Sequence, residues 1–86
     1  MPEISRFLGI VISMHYNDHS PPHFHAKYGD DIGVFSIKDL MMTEGELPRR
    51  IISYVLEWAF EHRDELLTNW ECIEKRKPLQ KIAPLI

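Results

Sequence analysis

The first half of the chain alternates between apolar and polar residues with the period of two that is typical of β-strands. In two stretches the apolar side chains occupy every second position, at Ile10, Ile12, Met14 and Tyr16 and again at Phe24, Ala26 and Tyr28. Gly9 and the run Gly29-Asp30-Asp31 indicate turns. The pattern predicts strands at about residues 3–8, 10–16, 23–29 and 32–38, which form an antiparallel meander of three or four strands, followed by a connector.

The second half has a helical pattern, because one side of it repeats every three or four residues. The positions on this stripe are Leu47, Ile51, Val55, Ala59, His62, Leu66, Trp70 and Ile73. The spacing predicts one long helix over about residues 48–76, with Pro48 as the first helical residue. The alternative is a break near Asp64, with Asp64 capping a second helix. Residues 77–86 contain two prolines and are expected to form an extended tail.

These elements predict an α+β fold, a single domain over residues 1–86 with the helix across one face of the sheet. A helix of that length overhangs a small sheet, and the apolar residues of the tail also need to be buried. We therefore expect a homodimer or a complex with a small companion protein, in which a second chain covers this surface.

Histidines are concentrated in residues 18–28, the stretch that joins and includes the third predicted strand. If the apolar sets of neighbouring strands share the buried face, His23 and His25 project from the other face. His15 would then lie across the ladder from them, with Cβ atoms about 5 Å apart. The sequence therefore predicts a cluster of three imidazoles on the open face of the sheet.

Three interpretations of this cluster stay open. His15, His23 and His25 could bind zinc or another divalent transition metal and leave one coordination position open, as in a metal-dependent hydrolase. Alternatively, Asp18 or His19 in the loop could contribute a fourth ligand.

In the second interpretation, His23 and His25 act as acid and base and Lys27 stabilises negative charge, which would suit a metal-independent ribonuclease. In the third, the histidines are structural and hold the Pro21-Pro22 turn through hydrogen bonds to loop carbonyls, or the stretch is a binding surface for a partner. That surface would be formed by Asp18, His19, His23, His25 and Tyr28. The residues alone do not decide whether the protein is an enzyme.

Composition narrows the choice of partners and compartment. The net charge of −3 gives no support to nucleic-acid binding, because a basic surface is what drives it. No apolar run approaches the ~20 residues that span a bilayer, so no membrane association is expected, and no signal peptide is expected at the start of the chain. The single cysteine, Cys72, excludes an internal disulfide and predicts a reducing, cytoplasmic location.

Several segments together resemble a bacterial family known as domain-of-unknown-function family 4160. They are Pro2-Glu3-Ile4-Ser5-Arg6-Phe7, the run from Asp18 to Tyr28 around Pro-Pro-His23-Phe24-His25-Ala26, Glu46-Leu47-Pro48, Glu57-Trp58-Ala59, His62-Arg63-Asp64-Glu65-Leu66, Asn69-Trp70 and Lys81-Ile82-Ala83-Pro84-Leu85. The resemblance implies a short bacterial or phage protein that is often encoded beside another small protein, in an arrangement like a toxin–antitoxin pair. It therefore favours a small interaction or regulatory module as the function.

Overall fold

The computed structural model describes residues 2–86, which form one antiparallel sheet and two helices. The strands are β1 (Glu3–Phe7), β2 (Ile10–Ser13), β3 (His23–Tyr28), β4 (Asp31–Ser36) and β5 (Met41–Gly45), and they lie in the sheet in sequence order. The helices are α1 (Arg49–Glu61) and α2 (Arg63–Glu74). The α+β class and the meander are confirmed. The expected three or four strands and single long helix are wrong in number.

The additional strand is β5, which lies in the segment predicted to be a connector. Its sequence, Met-Met-Thr-Glu-Gly, shows no alternation of apolar and polar residues, and its pairing with β4 is irregular. Val34 pairs with Glu44 and Phe35 with Met42, so that Thr43 is an extra residue in the ladder. A bulge of this kind hides a strand from any search for a period of two.

The strands before β5 also end earlier than the alternation suggested. β1 and β2 are joined by a two-residue turn at Leu8-Gly9, where both residues have positive φ, +51° and +77°. β2 ends at Ser13 rather than near Tyr16, because the chain turns at Tyr16-Asn17 and the Asp18 N–H donates to the carbonyl of His15 at 3.1 Å.

The helical segment is broken at His62, whose backbone angles of −116° and 22° lie outside the helical range. The His62 carbonyl still accepts the N–H of Leu66 at 2.9 Å, so His62 serves as the N-terminal cap residue of α2. Asp64 lies within the first turn of α2 and does not cap it, and Pro48 precedes α1 as its cap residue. The stripe of apolar residues stays in phase across His62, which is why the sequence pattern suggested one helix.

The core lies between one face of the sheet and both helices. Phe24 and Phe35 stack with ring centroids 5.3 Å apart, and Trp58 of α1 packs edge-on against Phe24 at 5.8 Å. All three side chains are fully buried. The alternation of apolar residues in β3 and β4 therefore predicted the buried face correctly for Phe24 and Phe35.

The tail packs on its own chain. The N–H of Ile82 donates to the carbonyl of Ile4 in β1 at 2.8 Å, and its side chain is buried. The Trp58 indole N–H donates to the carbonyl of Ala83 at 2.8 Å. Asn69 of α2 both donates to the Gln80 carbonyl and accepts from the Gln80 N–H. The apolar tail, which a second chain was expected to bury, thus packs on the protein itself. The homodimer or complex stays a prediction.

Within residues 2–86, neither helix has the length and apolar character needed to cross a membrane.

Candidate metal centre

A turn after β2 brings Asp18 to the end of the sheet. The Asp18 N–H donates to the carbonyl of His15, and the backbone N–H of His15 donates in return to Asp18 Oδ2 at 3.3 Å. These two hydrogen bonds hold the carboxylate at the start of the loop that leads to β3. An aspartate suits this position because its short side chain can bond to nearby backbone groups.

His23 and His25 project from the open face of β3, opposite the buried Phe24 and Ala26. His23 pairs with Ser36 and His25 with Val34 in β4, while on the other side His25 pairs with Ser13 of β2. This register puts both histidines on the face that the sequence pattern predicted. Its consequence is that both imidazoles reach the Asp18 carboxylate.

The three side chains converge on one point. Nε2 of His23 and Nε2 of His25 each lie 3.4 Å from Asp18 Oδ2. One ligand atom from each of the three residues lies within 4.8 Å of the other two. Each side chain is largely shielded from solvent, with between 17% and 25% of its surface exposed.

The orientation of the His23 ring is fixed by its other nitrogen. Nδ1 lies 2.8 Å from the carbonyl oxygen of Pro21, which can only accept a hydrogen bond. Nδ1 therefore carries the proton, and in the neutral ring the lone pair is on Nε2, the atom that faces Asp18. Histidines that bind metals usually have this arrangement, in which the second ring nitrogen donates to a carbonyl or a carboxylate.

His25 Nε2 is buried and has no hydrogen-bond partner among residues 2–86. Burial and the neighbouring imidazole of His15 lower the pKa of His25 below its usual value, and Asp18 opposes this shift only in part. The shift favours the neutral form of the ring, which is the form that coordinates a metal.

His15 joins the cluster but not the converging set of ligand atoms. Its ring lies edge-on to that of His25, with centroids 4.3 Å apart. The third ligand that the structure offers is Asp18 rather than His15. The sequence had suggested Asp18 only as a fourth ligand, and β2 ends too early to bring His15 opposite His23 in the ladder.

A family model for a domain of unknown function (DUF4160) matches residues 9–71. The chain belongs to the DUF4160 family. The match includes Asp18, His23 and His25, so the whole site lies within the family's domain. No curated protein and no solved structure matches the chain.

The remaining predicted site residues of this DUF4160 protein lie around the centre or away from it. His19 is exposed in the loop before β3, and Lys27 is exposed on the same face as His25, one step further along β3. Tyr28 lies on the other face, where its ring is next to Gly9 in the β1–β2 turn. The catalytic and binding roles suggested for them stay predictions.

One neighbour of the DUF4160 site could not be found from the sequence. The indole of Trp70 in α2 packs against the His23 ring, with centroids 5.3 Å apart, so the histidine face is partly covered rather than fully open. Trp70 belongs to the apolar stripe of the helix, and nothing in its spacing distinguishes it from a core residue.

Proposed function

We propose that the protein binds a divalent transition metal ion, with Zn²⁺ as the leading candidate, through Asp18 Oδ2, His23 Nε2 and His25 Nε2. The observation that carries the proposal is the convergence of these three atoms, two of them nitrogens at 3.4 Å from one carboxylate oxygen.

The spacing of the atoms fits tetrahedral coordination. Ligands about 2.0–2.1 Å from zinc at a tetrahedral angle are about 3.3–3.4 Å apart. The two distances from Asp18 Oδ2 already have this value. One ring nitrogen of each histidine lies within 4.8 Å of the other and of a carboxylate oxygen of Asp18. A distance of 3.4 Å is long for a charge-assisted hydrogen bond, which is typically about 2.7–2.9 Å, so an ion pair alone explains the geometry less well.

Three protein ligands leave a fourth position for water. A metal held in this way lowers the pKa of its bound water and supplies a nucleophile at neutral pH, which is the basis for proposing a metal-dependent hydrolase as the finer function. The ligands His23 and His25 would orient the ion, and Trp70 would limit the access of water to one side of it.

The test is a metal titration of protein purified without a histidine tag. At a free Zn²⁺ concentration 100 times the dissociation constant, binding adds about 2.7 kcal/mol to the free energy of unfolding. For a domain of this size, that raises the melting temperature by roughly 10–20 °C. We expect the increase in wild type and its loss in Asp18→Ala and in His25→Ala.

His19→Ala is the matched control, because it removes an exposed histidine of the same loop that lies outside the ligand set. It should keep the full increase. An equal response to Zn²⁺ in wild type, Asp18→Ala and His25→Ala would refute the metal centre.

A second candidate function is the cytoplasmic interaction or regulatory module, one half of a toxin–antitoxin-like pair. The observation that favours it is Phe60, an aromatic side chain on α1 that is 74% exposed. Light scattering at micromolar concentration, with and without the product of the adjacent gene, tests this candidate. We expect a homodimer or a complex that Phe60→Ser weakens and Glu61→Gln does not, and a monomer under both conditions would remove the support for it.

A further inference from the structure

A second site lies beside the metal centre, in a cleft between the loop before β3 and the last two strands. The cleft has a volume of about 350 Å³. That value is within the range of small-ligand pockets, about 300–1,000 Å³. Its lining includes Pro21 and Pro22 of the loop, Val34 of β4, and Thr43 and Glu44 of β5.

The bulge in β5 brings two neighbouring residues of that strand to the cleft. Because Thr43 is the extra residue opposite Val34, it and Glu44 both line the cleft, although neighbours in a regular strand point to opposite faces. The Thr43 hydroxyl donates to the Val34 carbonyl at 3.3 Å, which holds the bulged segment against β4. Bulges often re-aim side chains next to functional sites.

Glu44 is the only carboxylate among the residues that line the cleft, and no lysine or arginine is present there, although the imidazoles of His19 and His23 also line it. Two other polar atoms of the lining already have hydrogen bonds: Ser36 Oγ accepts the Asp39 N–H, and His23 Nδ1 donates to the Pro21 carbonyl. Within residues 2–86, the Glu44 carboxylate makes no hydrogen bond or ion pair.

We propose that this cleft binds the ammonium group of a short alkylamine. The carboxylate of Glu44 would pair with the ammonium, while the prolines and Val34 would contact the aliphatic chain. An anion is disfavoured, because it would lie against a carboxylate with no lysine or arginine in the lining to balance it. The assignment does not rest on the metal centre, since none of these contacts involves a metal ligand's coordinating atom.

The experiment is a chemical-shift titration of the amide resonances in metal-free protein with n-butylammonium. Because Glu44 is exposed, we expect a dissociation constant in the roughly millimolar range. Butyrate and 1-butanol have the same aliphatic chain without the positive charge. We expect saturable shifts at Val34, Ser36, Thr43 and Glu44 with the amine, and none with butyrate.

Glu44→Gln should weaken amine binding about two- to fivefold, as expected for the loss of an exposed ion pair that solvent screens. The matched control, Glu61→Gln, removes an exposed carboxylate outside the cleft and should leave the affinity unchanged. Raising the salt concentration with wild type must weaken binding too, a check that needs no variant.

Nα-acetyl-lysine amide, titrated in the same way, distinguishes the source of the amine. Binding comparable to that of butylammonium points to a lysine side chain of a polypeptide, and much weaker binding points to a free amine. Equal shifts with the amine, the alcohol and butyrate, or an unchanged affinity in Glu44→Gln, would overturn the proposal. Neither result would bear on the zinc titration.

Discussion

The attachment of the tail to α2 depends on one buried side chain, Asn69, which is 1% exposed. Its amide nitrogen donates to the Gln80 carbonyl at 2.9 Å, and its amide oxygen accepts the Gln80 N–H at 3.0 Å. Asn69→Ala removes both hydrogen bonds. Each contributes about 1 kcal/mol net, and residue 80 is exposed, so water can replace the lost partner at low cost.

The helix propensity of alanine offsets part of this loss, by about 0.5 kcal/mol. We therefore expect Asn69→Ala to lower the free energy of unfolding by about 1.5 kcal/mol. Urea denaturation followed by tryptophan fluorescence measures the change, since Trp58 is itself hydrogen-bonded to the tail. Gln80→Ala is the control, because it keeps the backbone groups that Asn69 contacts, and it should stay within about 0.5 kcal/mol of wild type. A loss below that limit in Asn69→Ala, or an equal loss in Gln80→Ala, would show that the two hydrogen bonds do not hold the tail.

Three further predictions concern stability. Burial lowers the pKa of His25 in the folded protein below its usual 6.5. At a pH between the folded and the unfolded pKa of His25, the unfolded chain therefore binds more protons than the folded protein does. The stability that is present above pH 6.5 is consequently lost as the pH falls through the folded pKa. Urea midpoints of metal-free protein between pH 8 and pH 5 should therefore fall, and should fall less in His25→Gln. Gly45→Ala should be far more destabilising than Gly29→Ala: both residues have positive φ, but a Cβ at Gly45 would meet the Ile32 carbonyl oxygen at 2.1 Å, whereas at Gly29 it would meet nothing within 4 Å. Thermal melts of the two variants should differ accordingly, with Gly29→Ala costing about 1 kcal/mol. Ile82→Ala should cost about 2–4 kcal/mol in the same urea assay, because it empties a buried site, and a loss below about 1 kcal/mol would mean that the tail is not packed.

Local patterns predicted the parts of the fold in which side-chain direction follows from position in a strand. The alternation around His23 and His25 predicted their face correctly, because a register shift by one residue would have exposed Phe24. The strand β5 escaped prediction because the bulge at Thr43 breaks its period. The break at His62 was predicted only as an alternative, near Asp64, because the apolar stripe continues through it.

The candidate site was predictable only in part, for a related reason. The histidines and Asp18 lie close together in the sequence, and their convergence depends mostly on one turn and one strand. Trp70 and Glu44 reach the same region from distant elements, so their proximity is set by the packing of α2 and by the pairing of β5. Neither residue differs from an ordinary core or surface residue when the sequence is read alone.

The contact between Ile82 and Ile4 has a consequence for aggregation. β1 is an edge strand of the sheet. The unpaired backbone groups of an edge strand are a template with which strands of other chains can pair. The tail occupies part of that template, and at the opposite border the bulge in β5 makes regular pairing difficult. Loss of the tail by proteolysis would therefore do more than lower stability, because it would uncover the β1 backbone while the rest of the sheet is still folded. Fibrils or insoluble oligomers built through β1 are the expected form of damage in such a truncated chain.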